Sequence, residues 1–362
     1  NFLRKELEKL GYKEIMTPMI LSRKLWEQSG HWDHYKENMY FTKVDEKDFA
    51  VKPMNCPGAI LIYKEKLPSY RDLPIKLTEF GLVHRHELSG VLAGLFRVRA
   101  FTQDDAHIFC SENQIQQEVL QLLDLVDLIY KTFNFTYHIE LSTRPEKFAG
   151  KKENWDKAEK SLGDALSSKK IKYKINPGEV AFYGPKIDFH IKDCLGRTWQ
   201  CATIQVDFSM PEKFDLKYIA EDGNKHAPVM IHRTIYGSME RFLGILIEHY
   251  AGKFPLWIAP VQARILTVAD RFALYAEKIK EELEKNNIRV ELDARTESVS
   301  YKVREAQLQK IPLIINVGEK EEKNNTVAVR TLDNKVHFNV KVDDLIKKIL
   351  DNVENKEEKF EL

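Results

Sequence analysis

Apolar residues in the first two thirds of the chain recur with periods that switch between helix and strand. Phe2, Leu3, Leu7 and Leu10 share one helical stripe, and Gly11 after them predicts a helix cap. Residues 14–21 form a short apolar run broken by Pro18, which predicts a strand at an edge or interface. A short helix is predicted over 25–29, a loop over 31–35, strands over 40–42 and 49–52, a turn over 54–58 and a helix over 59–66. Segments 75–84 and 97–109 flank the glycine-punctuated loop 89–94 and predict a long antiparallel hairpin. Ile115, Val119, Leu122, Val126 and Ile129 then mark one stripe of an amphipathic helix. Strands at 137–142 and 171–175 surround a charged helix at 155–167. A second antiparallel pair, 186–191 with 198–207, precedes a strand at 228–232 and a helix at 238–249. This order predicts an α+β domain on an antiparallel sheet.

The pattern changes after residues 252–255. Strand 264–269, helix 272–286, strand 289–293, helix 301–310 and strand 313–317 alternate. Strands 327–330 and 336–340 and a final helix from 342 complete the run. The alternation predicts a small, mostly parallel α/β domain. The expected domains are therefore 1–257 and 258–362, and 362 residues exceed what one ordinary core organises. A net charge of +1 means that any polyanion must be met by local patches. Cys56, Cys110, Cys194 and Cys201 lack C-x-x-C spacing, which fits a reducing compartment and predicts a cytoplasmic protein. No apolar run has membrane-spanning length and no signal peptide opens the chain, so no membrane partner is expected. The first residue already reads as helix, which predicts a fragment with residues upstream.

One predicted strand concentrates chemistry. Side chains alternate faces along a strand, so residues 97–110 place Arg97, Arg99, Phe101, Gln103, Asp105 and His107 on one side. Val98, Ala100, Thr102, Asp104, Ala106 and Ile108 take the other. Phe101 and His107 then lie roughly 20 Å apart, enough for a base at one end and a small substrate at the other. A solvated sheet face would show the same alternation, and the strand alone favours that plainer reading.

Three short motifs shift the balance. Residues 11–20, with Pro18, Met19 and Ile20, resemble the first motif of class II aminoacyl-tRNA synthetases. His84-Arg85-His86-Glu87, a loop, and Arg97 ahead of Phe101 resemble the second; Gly237-Ser238-Met239-Glu240-Arg241-Phe242 resembles the third. Within the class, Met54-Asn55-Cys56-Pro57, residues 102–107 (Thr-Gln-Asp-Asp-Ala-His) and Val229-Met230-Ile231-His232-Arg233 resemble the threonine-specific family. The resemblance runs nearly end to end. It implies the class II synthetase fold, an anticodon-binding domain after Trp257, a homodimer, and L-threonine, ATP and threonine tRNA as partners.

The resemblance also implies roles. Arg85, Arg97 and Arg241 would neutralise the carboxylate and α-phosphate that adenylation brings together, a task suited to guanidinium. Phe101 would stack on adenine with Arg241 on the other ring face, Glu87 would receive the adenine amino group, and Mg2+ would accompany ATP. Gln200, Thr203, Gln205 and Ser238 would complete the ATP pocket, and Lys186 would join the threonine site. Cys56, His107 and His232 would hold Zn2+ with one position open. Such a site distinguishes threonine from isosteric valine, which an apolar pocket rejects by only ~100-fold. Asp105 would take the hydroxyl, and Gln103 and Tyr183 the amino group. His31 would assist removal of the ribose proton of tRNA. Glu321 and Arg330 would contact anticodon bases. Ala59 stands where the family has histidine, Ala93 where it has a larger polar residue, and Ser300 where it has glycine. An upstream editing domain is not among these residues. A proline or serine enzyme, and a tRNA-binding scaffold without catalysis, are the rival readings. Cys56 with two histidines argues against a proline enzyme, serine enzymes of a few lineages use zinc with different ligands, and the three arginines argue against the scaffold.

Overall fold

A computed structural model describes every residue except 147, 149, 179, 181 and 182. The chain divides into two compact units, Asn1–Ile245 and Leu246–Leu362, the division falling within helix Met239–His249.

In the first unit, eight strands among the described residues form one sheet. Their order is Lys13–Glu14, Ile75–His84, Ala100–Cys110, Val229–Thr234, Thr198–Asp207, Lys186–Lys192, Tyr137–Thr143, Lys174–Pro177. All pairings are antiparallel except the outermost at each edge. The predicted hairpin forms its second and third strands, with His84 opposite Ala100 and Leu77 opposite His107. Helix Ile115–Thr132 buries the predicted stripe of Val119, Leu122, Val126 and Ile129. From the same helix Tyr130 donates its hydroxyl to Ile235 O and accepts from Ala202 N, both at 2.9 Å, tying the sheet's central strands to the helix.

Three expectations are corrected here. Residues 14–21 are not one strand: Lys13–Glu14 joins the large sheet, and Ile20–Ser22 joins a three-stranded sheet with Tyr40–Val44 and Lys47–Val51. Between them Thr17 turns inward, donating its N–H to Glu79 at 2.9 Å, where Glu79 also pairs with buried Lys52 at 2.7 Å. Residues 31–35 are not a loop. Gly30, at φ +83°, ends helix Arg23–Ser29 and lets a helical turn, His31–His34, restart at once. Cys56 is not in a turn but opens helix Cys56–Lys64, with Pro57 where a helix needs no N–H.

The second unit carries a five-stranded sheet in the order Val290–Asp293, Ala263–Thr267, Leu313–Val317, Thr326–Thr331, Val336–Lys341. Two pairings are parallel and two antiparallel, so the sheet is mixed rather than mostly parallel. The cause is the short connection after Val317. Helix Glu319–Asn324 spans six residues, too few for a crossover, so the chain returns antiparallel. Its sequence, EKEEKN, has no apolar stripe to announce it. Ile265, Ile279, Leu283, Leu313, Ile315, Val327, Val329 and Leu345 form the core. Ser300 lies in helix Val299–Leu308, whose first turn is capped by the Ser298 side chain. Among the described residues no helix is long and apolar enough to cross a membrane.

Candidate active site

Strand alternation delivers Phe101, Gln103 and Asp105 to one face, where they line two adjoining cavities. Arg85, Gln103, Gln200, Thr203 and Thr234 belong to both and form a common wall.

At one end, register places His107 directly opposite His232. Cys56, from the first turn of its helix, completes a buried group whose potential ligand atoms all lie within 4.8 Å of one another. His232 Nε2 donates to Asp207 Oδ2 at 3.0 Å, the carboxylate support usual for metal-binding imidazoles. His107 Nε2 is buried and finds no hydrogen-bond partner among the described residues. Burial drives the Cys56 thiol well above its ordinary pKa, and holds His107 well below its own. Two imidazoles and a thiol that a cation would ionise are a donor set suited to zinc. Asp105, pushed up to about 6 by burial, accepts from Asn55 Nδ2 at 3.2 Å. Tyr183 packs against His232 with ring centroids 5.2 Å apart. Gln205 is buried and donates to Gly184 O at 2.7 Å.

At the other end Arg85, Arg97 and Arg241 converge with Glu87, Phe101 and Ser238. Arg85 lies 5.1 Å from the Phe101 ring centre and donates to Pro53 O. Arg241 donates to Phe96 O at 2.8 Å and Gln200 O at 3.1 Å, which fixes its guanidinium without neutralising it. Burial lowers its pKa, and Arg97 and Arg85 push the same way. Three cations held this close are a prepared anion site. Arg97 pairs with Glu87 at 2.9 Å. The predicted strand start at 97 shifts to Ala100, because Arg97 instead bridges Ala93 across the loop. Ser238 Oγ accepts from Arg241 N at 3.2 Å and opens the helix that carries Arg241. The preceding Gly237 is at φ +72°, where a Cβ would come within 2.6 Å of Cys201 O.

His31 lies apart from the cavity lining. It is fully buried, with Nδ1 2.7 Å from Ser29 Oγ and Nε2 2.9 Å from the sulfur of Met54, which does line the cavity. Burial lowers its pKa to about 3, so the ring is neutral near pH 7. Glu321 accepts from Gly318 N at 3.1 Å and caps its own helix; Arg330 donates to Asn334 O at 3.1 Å. Both are in the second unit. Ala59 is fully buried.

Three buried carboxylates escaped the sequence reading. Asp207 supports His232. Asp188 sits behind the common wall. Asp104 accepts from Ile235 N, Tyr236 N and Gly237 N at 2.8–3.0 Å and so fixes the turn that leads to Arg241. Asp104 carried a signal, being the one charge on the otherwise apolar face of its strand.

Both parts of the chain match known families. The family model for the tRNA synthetase class II core domain (G, H, P, S and T) matches residues 40–250, and that for an anticodon binding domain matches 258–352. The chain belongs to the class II aminoacyl-tRNA synthetase family. Its relatives within that class include threonine enzymes. The threonine–tRNA ligase of Desulforamulus reducens is 59% identical over 356 residues, 98% of this chain and 56% of that protein. The one from Carboxydothermus hydrogenoformans is 62% identical over 330 residues, 91% of this chain and 52% of that protein. The chain thus spans about half the length of these curated relatives. Among solved structures, the RNA binding domain of threonyl-tRNA synthetase from Cryptosporidium parvum is 42% identical. It has a TM-score of 0.93, over 97% of this chain and 88% of that one. ThrRS-1 of Aeropyrum pernix is 32% identical with a TM-score of 0.80, over 98% and 84%.

Proposed function

We propose that this chain is the catalytic and anticodon-binding core of a threonine–tRNA ligase, with 1–257 and 258–362 as the two domains. A threonine carboxylate oxygen attacks the α-phosphorus of ATP, pyrophosphate leaves, and threonyl-adenylate forms. The terminal ribose hydroxyl of threonine tRNA then attacks the carbonyl carbon, releasing AMP. The observation that carries this reading is the junction of the two cavities: a buried Cys56–His107–His232 group at one end, and Arg85, Arg97 and Arg241 at the other.

Each end has its task. Arg85 and Arg241 offset the charge that builds as carboxylate meets phosphate, with Mg2+ accompanying the triphosphate. Phe101 stacks on adenine, Glu87 and Ser238 place the nucleotide, and Arg97 joins the phosphate clamp. Cys56, His107 and His232 would hold Zn2+, which would supply a Lewis-acid recognition point for the amino acid. Asp105 accepts from that hydroxyl; Gln103, Tyr183 and Lys186 hold the amino acid, and Gln205 buttresses the wall. His31 assists the ribose proton in the transfer step through neighbouring groups, and Glu321 and Arg330 read anticodon bases. Met16, 90% exposed, and half-exposed Ile20 flank Pro18 and support a homodimer across this segment. The free cysteines are in keeping with a cytoplasmic location.

The test is ATP–pyrophosphate exchange with each amino acid in turn. Exchange that depends on threonine bears the proposal out; exchange with proline alone, or none, refutes it.

A further inference from the structure

Building on the adenylation reading above, we propose that Asp188 is the positioning residue for the wall shared by the two substrates, setting which atoms that wall presents. Asp188 is 3% exposed and lies behind the cavity, lining neither half. Its Oδ1 accepts from Gln200 Nε2 at 2.6 Å and from Thr203 Oγ1 at 3.0 Å. Its Oδ2 accepts from Lys186 Nζ at 2.8 Å and from Ser142 Oγ at 3.4 Å. Lys186, Gln200 and Thr203 all line the cavity.

The backbone is arranged for this convergence. Residues three apart on a regular strand point to opposite faces. Here the register slips between Gln200 and Thr203, so that Gln200 faces His190 while Thr203 faces Asp188. The bulge turns both side chains to one face, a re-aiming that bulges commonly perform beside active sites.

Hydrogen-bond polarity then follows from the carboxylate, which can only accept. Gln200 Nε2 donates to Asp188 and, at 2.9 Å, to Thr203 Oγ1, leaving its Oε1 for a ligand. The hydroxyl proton of Thr203 is directed to Asp188, so toward a ligand that oxygen only accepts. Lys186 keeps two of its three N–H groups. The wall therefore offers acceptors at Gln200 and Thr203, for ribose hydroxyls or an ammonium group, and donors at Lys186, for a carboxylate. An asparagine at 188 would turn an NH2 toward the Lys186 ammonium or toward the Gln200 amide. Either arrangement displaces a cavity-lining group.

Threonine-dependent pyrophosphate exchange of the full chain tests this, comparing wild type with Asp188→Asn. The active-site concentration of each is fixed by the adenylate burst. The KM values for ATP and for threonine are expected to rise, each by about tenfold or more, because charge-assisted bonds are lost on a wall facing both substrates. A carboxylate with a merely structural role would lower the fraction of active sites and leave both KM values in place. Both KM values staying within about twofold of wild type overturn the proposal, whatever the active fraction. Asp188→Glu, which keeps the charge but displaces the oxygens by a methylene, carries the same two outcomes should the asparagine variant fail to fold. A wild-type protein without threonine-dependent exchange refutes the adenylation reading and this proposal together, a failure distinguishable because it precedes any substitution.

Discussion

Cys56 contributes a thiol from a helix start, and His107 and His232 bring imidazoles from facing positions of one strand pair. His107 Nε2 is buried, lacks a hydrogen-bond partner among the described residues, and has only the Asp105 carboxylate at 3.8 Å, which leaves room for a cation at this nitrogen. Purified full chain is therefore expected to hold about one zinc, and Cys56→Ser to lose it, since two protein ligands remain. Elemental analysis finding no zinc in a threonine-active wild type would sink this. The three residues were legible only through resemblance, because no local spacing links them and their meeting depends on strand register. Phe101, Gln103 and Asp105 were legible directly, since a strand's period of two puts them on one face whatever surrounds it. Asp188 and Asp207 were not. On a strand with a polar face a carboxylate reads as solvated, and only the neighbouring strands reveal that these are buried beneath lysine, glutamine and histidine side chains.

Among elements, the long hairpin and the stripe of helix Ile115–Thr132 followed from periodicity, because each is long enough for its period to dominate. Short elements did not. The turn His31–His34 and helix Glu319–Asn324 carry no apolar repeat, and residues 14–21 split between two sheets because Thr17 seeks Glu79. That last contact predicts a stability effect. Lys52 and Glu79 are both about 3% exposed and share Thr17 as a third partner. Glu79→Gln leaves the lysine charge buried without its counterion and is expected to cost about 3–5 kcal/mol in urea denaturation. A loss below about 1 kcal/mol would mean that water reaches the pair. The helical turn carrying His31 makes a different prediction. His31→Ala should slow aminoacyl transfer by about 100-fold while sparing adenylate formation, because only transfer requires the ribose proton to move. Single-turnover measurements of the two steps check it, and equal losses would assign His31 to packing around Met54 instead.

For the molecule as a whole, the proposed choice of amino acid follows from what the Cys56–His107–His232 end of the cavity can measure. On the proposed reading Asp105, buried and with its pKa raised by that burial, would engage a substrate hydroxyl beside the Cys–His–His group. A site built to bond a hydroxyl rejects an analogue without one by about 10⁴–10⁵-fold, because its own buried groups are then left unpaired. Valine lacks the hydroxyl and should support negligible exchange. Serine has the hydroxyl and the amine in the same relation and lacks one methyl. A methyl in an apolar pocket is worth ~1–3 kcal/mol, or about 10–200-fold in kcat/KM. The expected order in pyrophosphate exchange is therefore threonine, then serine within roughly that factor, then valine far behind both. Comparing kcat/KM for the three amino acids decides it. Valine activated as well as serine would show that shape rather than the hydroxyl sets the choice. Serine rejected as strongly as valine would require a device for the methyl that apolar packing cannot provide.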